Sequence, residues 1–143
     1  MAGTHPSSTR WLLLMPSCDA DCVIEGAKVK ERANQLRTSL SGIAGWEVVM
    51  EGQDMRAVVL TLAIRQSVPW HYHSDITDSF VCLEGPMVVE TRAPRAVHVL
   101  IPGQRCEVAP RTAHYVHGKD DGPCKFMVLQ GVGEYDNVAV GGT

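Results

Sequence analysis

From Trp46 onward the chain runs in short apolar, β-branched stretches broken by glycine, proline and acidic turns. Residues 46–50 and 55–64 are joined through Glu51-Gly52-Gln53-Asp54, the composition of a hairpin loop. Residues 79–83 run into Glu84-Gly85-Pro86 and residues 87–91 run back; 97–101 reach Pro102-Gly103, 106–109 reach Pro110, and 126–130 end at Gly131-Val132-Gly133. Strands this short, punctuated this regularly, predict an all-β sandwich or barrel. Residues 46–64 and 79–91 are apolar at both strand parities. Both of their faces should therefore be covered, by a further layer or by a second subunit.

Upstream the pattern changes. Residues 1–9 are polar and contain Pro6, the composition of a frayed tail. Residues 27–40 have the only helix-like composition, with Val29, Ala33, Leu36 and Leu40 spaced by three and four, so one amphipathic helix is expected there. This divides the chain into an N-terminal arm (1–45), a barrel (46–133) and a C-terminal tail (134–143). Arg10 precedes Trp11-Leu12-Leu13-Leu14-Met15, but Pro16 ends the run. A secretory core needs about 7–15 apolar residues and a membrane span about 20, so the run reads as a short strand or arm and a cytoplasmic location is expected.

Composition narrows the function classes. The 143 residues suit one domain, and the formal charge of −3 is interspersed. A nucleic-acid binder needs a basic stripe and an anionic membrane surface a polybasic segment; neither is present. Cys18, Cys22, Cys82, Cys106 and Cys124 form no zinc-finger or redox spacing, which fits reduced thiols. There is no nucleophile elbow, phosphate-binding glycine loop or kinase signature.

Chemistry concentrates in Trp70-His71-Tyr72-His73. On a strand, residues two apart share a face, so His71 and His73 project together. Read alone, such a pair is commonly two surface or core histidines. On an inward face, two imidazoles in an apolar cavity would be costly without a partner, and a metal ion is the usual one. Asp78 follows five residues after His73, and Gly85 follows after six more.

The run 71–85 resembles the first motif of the cupin superfamily, G-x5-H-x-H-x3–4-E-x6-G, with Asp78 in the glutamate slot and Arg65 where the leading glycine would stand. Residues 103–118 resemble the second, G-x5-P-x-G-x2-H-x3-N. Gly103 and His114 match; Ala109 fills the proline slot, Arg111 the inner glycine slot and Gly118 the asparagine slot. The resemblance implies a small single-domain cupin, an antiparallel double-stranded β-helix or jelly roll. It also implies one divalent metal (Fe, Mn, Ni or Zn) on His71, His73, His114 and Asp78. Aspartate is one methylene shorter than glutamate. It either ligates directly, ligates through water, or leaves a three-histidine site; direct ligation is the expectation, and a glutamate at 78 should bind metal at least as well.

Parity assigns the neighbours. Phe80 and Cys82 share the face of Asp78 and should line the cavity, as should Val116; Tyr72, Tyr115 and His117 should face out. His98 reads as an ordinary strand histidine and His5 lies in the tail. With inward positions mostly apolar, no acid or base beyond the ligands is nominated. The resemblance implies a metal-dependent enzyme acting on a small chelating substrate, with a dioxygenase-like oxidoreductase favoured. Lyase, isomerase and decarboxylase chemistry, or a non-catalytic metal- or ligand-binding barrel, are the alternatives. A homodimer is expected, with residues 11–15 on the barrel's outer face.

Overall fold

The computed structural model describes residues 42–141 and the single position Glu31. The apolar run 11–15, Cys18, Cys22 and, apart from Glu31, the helix expected over 27–40 lie outside the described residues. Ten strands follow one another: β1 (Gly45–Glu51), β2 (Met55–Leu62), β3 (Ser67–Tyr72), β4 (Thr77–Glu84), β5 (Met87–Arg92), β6 (Arg95–Leu100), β7 (Arg105–Val108), β8 (His114–Gly118), β9 (Cys124–Gly131) and β10 (Val138–Ala139). Lys119–Asp121 form a 3-10 turn. The strands make two five-stranded sheets, ordered β1-β2-β9-β4-β7 and β10-β3-β8-β5-β6, and every pairing is antiparallel. Consecutive strands alternate between the sheets in much of the chain.

The alternation that predicted strands is the alternation that fills the core. β9 reads buried and half-buried in strict turn, and Cys124, Phe126 and Val128 point inward with Val58, Leu60, Leu62, Phe80 and Cys82 from β2 and β4. The other sheet contributes Met87, Val89, Leu100 and Val116. Burying side chains of this size stabilises by roughly 1.5–3 kcal/mol each. Cys106 and Cys124 belong to or touch this core, and burial pushes both thiols up to about 11; they pack as small hydrophobes.

The expectation of covered faces holds for β5, where Met87, Val88 and Val89 are all buried. On β1, an edge strand paired only with β2, Trp46, Val48, Val49 and Met50 are exposed in the single chain, the face that the expectation assigns to a further layer or a second subunit. The segment 134–143, assigned to a tail, instead carries β10, which pairs with β3 through Val138↔Tyr72 and Ala139↔His71. A two-residue strand has no periodicity to detect.

The motif slots that depart from the cupin pattern have backbone explanations. Arg65 and Arg111 stand where glycines are usual, and both keep the left-handed conformation, at φ 62° and 61°. Gly118 stands in the asparagine slot because a Cβ there would lie 1.8 Å from the carbonyl oxygen of Gly122. A non-glycine residue in the left-handed region costs about 1 kcal/mol, partly offset by the greater freedom glycine has when unfolded. Arg111→Gly is therefore expected to stabilise the protein by up to about 0.5 kcal/mol, measured as a rise in denaturation midpoint at unchanged slope.

Candidate metal centre

The structure brings His71, His73, Asp78 and His114 together, with one potential ligand atom of each within 4.8 Å of all the others and all four side chains buried. Both sheets contribute. His71 on β3 is register partner of His114 on β8, so those two imidazoles stand side by side, ring centroids 4.2 Å apart. His73 follows just beyond β3, and Asp78 reaches across from β4 in the opposite sheet. Three of the four lie on strands fixed by ladder hydrogen bonds, which sets the geometry before any ligand arrives.

Each imidazole is oriented by a backbone carbonyl. His71 Nδ1 donates to Pro69 O (2.7 Å), His114 Nδ1 to Thr112 O (2.9 Å), and His73 Nδ1 to Asp136 O. A carbonyl only accepts, so each Nδ1 carries a proton; Nε2 donates to Asp78 when a ring is protonated, and a neutral ring offers its Nε2 lone pair to a metal. Carbonyl-fixed histidines of this kind are the usual support of a metal site. Asp78 Oδ2 lies 3.1 Å from His73 Nε2 and 3.2 Å from His114 Nε2. Two atoms bound cis to one first-row metal at 2.0–2.2 Å stand about 3 Å apart. Oδ2 is thus already spaced as a direct ligand would be from both histidines, without the methylene that glutamate would add. The donor set, three neutral imidazoles and a carboxylate, fits Fe, Mn, Ni or Zn and does not choose among them.

The electrostatics of the metal-free centre agree. Burial holds His71 down to about 4 from the ordinary 6.5, assisted by the neighbouring His114. Burial also disfavours the charged form of His73, but the hydrogen bond and charge of Asp78 outweigh it and raise His73 above its ordinary value. For Asp78, burial is likewise outweighed, by hydrogen bonds from His114 and His73, and the carboxyl stays well below the usual carboxylate range. Linkage gives the sign. His71 has a lower pKa folded than unfolded, so its contribution to stability is intact above pH 6.5 and is lost as pH falls towards 4. Metal-free protein should lose stability across that window at up to about 1.4 kcal/mol per pH unit. His71→Gln should flatten the slope, as read from denaturation midpoints at pH 7, 6 and 5.

The polar surroundings extend beyond what the sequence disclosed. Asp78, Gln130 and Arg56 are register neighbours across β4, β9 and β2, and all three are buried. Gln130 Nε2 donates to Asp78 Oδ1 (3.0 Å), and Arg56 Nε donates to Gln130 Oε1 (2.8 Å). The row occupies Oδ1 and leaves Oδ2 facing the histidines. Tyr135 packs on His73, ring centroids 5.2 Å apart, and the Arg56 guanidinium stacks 3.6 Å over the Tyr135 ring. Asp136 Oδ1 accepts from Ser74 N (2.7 Å), pinning the segment after β9 to the loop after His73.

A cavity of about 40 Å³ opens beside the centre, lined by His71, Asp78, Phe80, Gln130, Tyr135 and Asn137 among others. Phe80 and Val116 line it as expected. Cys82 instead lies in the apolar core and is not part of the lining. Tyr115 faces out and stacks on Trp70, and His117 faces out to Glu90, Nε2 to Oε1 at 2.9 Å. Where the sequence nominated no acid or base beyond the ligands, the structure adds Arg56 and Gln130 to the buried polar groups. Both sit at inward parity on their strands, a signal present in the sequence. Tyr135 and Asn137 fall in the supposed tail and had none.

Two antiparallel sheets closed around an inward histidine–carboxylate cluster define a cupin-type barrel, and the chain has the cupin fold. No family model matches the sequence, and no curated protein matches it. Solved structures do match. An uncharacterized protein with a double-stranded β-helix domain from Klebsiella pneumoniae superposes with a TM-score of 0.61 at 20% identity, covering 71% of this chain and 88% of its own. An RmlC-like cupin from Desulfovibrio desulfuricans gives 0.54 at 23% identity, covering 63% and 83%. The oxalate decarboxylase of Lactobacillus farciminis gives 0.57 at 13% identity, covering 66% of this chain and 30% of its own. Among the described residues, no helix is long and apolar enough to cross a membrane.

Proposed function

We propose that this protein is a metal-dependent enzyme acting on a small chelating organic substrate, with a dioxygenase-like oxidoreductase as the favoured reaction class. One observation carries the metal reading: three buried imidazoles, each with Nδ1 committed to a backbone carbonyl, direct Nε2 at the region occupied by Asp78 Oδ2. A bound divalent ion would supply Lewis acidity there and open positions for substrate and O2. The chain's own residues would orient the ligands, and Phe80, Val68 and Val128 would exclude bulk water from the cavity. Its size admits only a few non-hydrogen atoms. The oxalate decarboxylase among the structural neighbours favours a second reading, metal-dependent carbon–carbon cleavage without net oxidation. The same apparatus separates the two. Protein purified without a histidine tag is assayed for metal, loaded with Fe or Mn, and screened against small organic acids and diketones in an O2 electrode. Oxygen uptake stoichiometric with substrate loss supports the dioxygenase; substrate loss without uptake supports the second reading. No metal content and no uptake of Fe, Mn, Ni or Zn would sink both.

The homodimer is proposed on separate grounds. β1 exposes Trp46, Val48, Val49 and Met50 on an edge strand, surface that a second copy would cover. Light scattering at tens of micromolar should give twice the 15.6 kDa chain mass; a monomer there overturns it.

A further inference from the structure

We infer that Arg56 is a carboxylate-recognising residue, and that the ligand taken beside the metal centre is a small organic anion whose carboxylate is held by the Arg56 guanidinium. This deepens the metal reading above and rests on it. Arg56 is 4% exposed, and a guanidinium keeps its charge at any ordinary pH. Buried charges are normally paired, because leaving one uncompensated in the interior is expensive. Arg56 forms no ion pair among the described residues. Its Nε is spent on Gln130 and its face on Tyr135. Its Nη2 is the one buried side-chain polar atom among the described residues without a hydrogen-bond partner. Glu51 and Asp54 line the narrow cleft beside it, but both are exposed and neither is paired with it.

Location turns this orphan into a recognition element. Gln130 and Tyr135 line both the cleft at Arg56, about 10 Å³, and the cavity at the metal centre, about 40 Å³. The first has room for one oxygen atom, the second for a few non-hydrogen atoms. The charges add in one direction. Asp78 contributes −1, Arg56 +1 and a divalent ion +2, and the imidazoles ligate as neutral groups, so the loaded interior carries +2. A neutral ligand leaves that charge uncompensated; a carboxylate offsets it and completes the Nη2 donor. Charge-assisted hydrogen bonds from a guanidinium are among the stronger ones, which makes the preference measurable.

The experiment uses Co(II)-loaded full-length protein and follows the cobalt absorption bands as glycolate or its neutral isostere glycolamide is added. Glycolate should bind wild type about 10- to 100-fold more tightly than glycolamide. Arg56→Gln should weaken glycolate by about the same factor and leave glycolamide unchanged, while Arg56→Lys, which keeps the charge, should recover part of the loss. Glycolate affinity unchanged in Arg56→Lys and Arg56→Gln, or no preference for glycolate in wild type, overturns the inference while the metal reading stands. Should Arg56→Gln fail to fold, the wild-type preference and the Arg56→Lys variant decide it. Wild type that takes up no Co(II) overturns the metal reading itself, and this inference with it.

Discussion

His71→Ala should reduce metal affinity by more than about 100-fold, since losing even an indirect partner of a ligand costs 10- to 100-fold. The variant is a clean one. Of the three histidines, His71 is the one whose Nε2 forms no hydrogen bond to Asp78; its side chain bonds only Pro69 O. Its removal leaves the Asp78 carboxylate with His73, His114 and Gln130. The metal-free fold should survive, and the loss should appear in the linkage between metal and stability. For a ligand that binds only folded protein, a thousandfold excess over Kd adds about 4 kcal/mol. The same metal concentration over a Kd raised 100-fold adds about 1.4 kcal/mol. Thermal unfolding of wild type and variant, each with and without added Ni or Zn, reads this difference. A metal-induced rise in Tm that is equal in the two proteins would remove His71 from the centre.

The parts of this site that were legible in the sequence share a physical cause. Strand parity alone places His71 with His73, and Phe80 with Asp78, because a pleated strand alternates faces whatever its neighbours do. Glycine and proline mark the turns because few residues tolerate those backbones, so strand boundaries such as 55 and 87 fall where the punctuation puts them. Cross-strand neighbours were not legible. Arg56 and Gln130 sit at inward parity, yet nothing in one strand's pattern says that β2, β9 and β4 lie side by side or that 56, 130 and 78 share a row. An isolated inward arginine on an otherwise apolar face (Val58, Leu60 and Leu62 are its inward neighbours on β2) reads as an edge or a solvent-facing end until its register is known. The C-terminal contribution was hidden for a different reason. Residues 134–137 are held by side-chain and carbonyl bonds to Asp75, Ser74 and His73, interactions that leave no periodic trace. Conversely, the glycines of the cupin pattern are missing at 65 and 111, yet the backbone is left-handed at both positions. Loss of a motif residue is not loss of the conformation it serves.

Asp78 carries the other large effect. The side chain is 2% exposed, and both oxygens are engaged, Oδ2 by His73 and His114 and Oδ1 by Gln130. Asp78→Ala therefore has two expected consequences. Metal affinity should fall by at least about 10- to 100-fold, through loss of a ligand whose spacing already matches direct coordination. Metal-free protein should also lose about 3 kcal/mol, because a buried carboxylate is removed from groups that stay buried. The strand should still form, since its ladder to β7 and β9 uses backbone groups alone. Asp78→Glu separates reach from charge. From the motif alone, glutamate should bind metal at least as well as aspartate. The geometry argues the other way, because Oδ2 already stands 3.1 and 3.2 Å from the two Nε2 atoms. An added methylene carries the carboxylate past that position and away from Gln130. Asp78→Glu is expected to bind metal about 10-fold more weakly than wild type, yet more tightly than Asp78→Ala. Competition against a metal-sensitive dye orders the three proteins. If Asp78→Ala matches wild type, the centre is a three-histidine one and Asp78 serves only to hold His73 and His114. If Asp78→Glu binds most tightly of all, aspartate does not reach, and its contact with the metal runs through water.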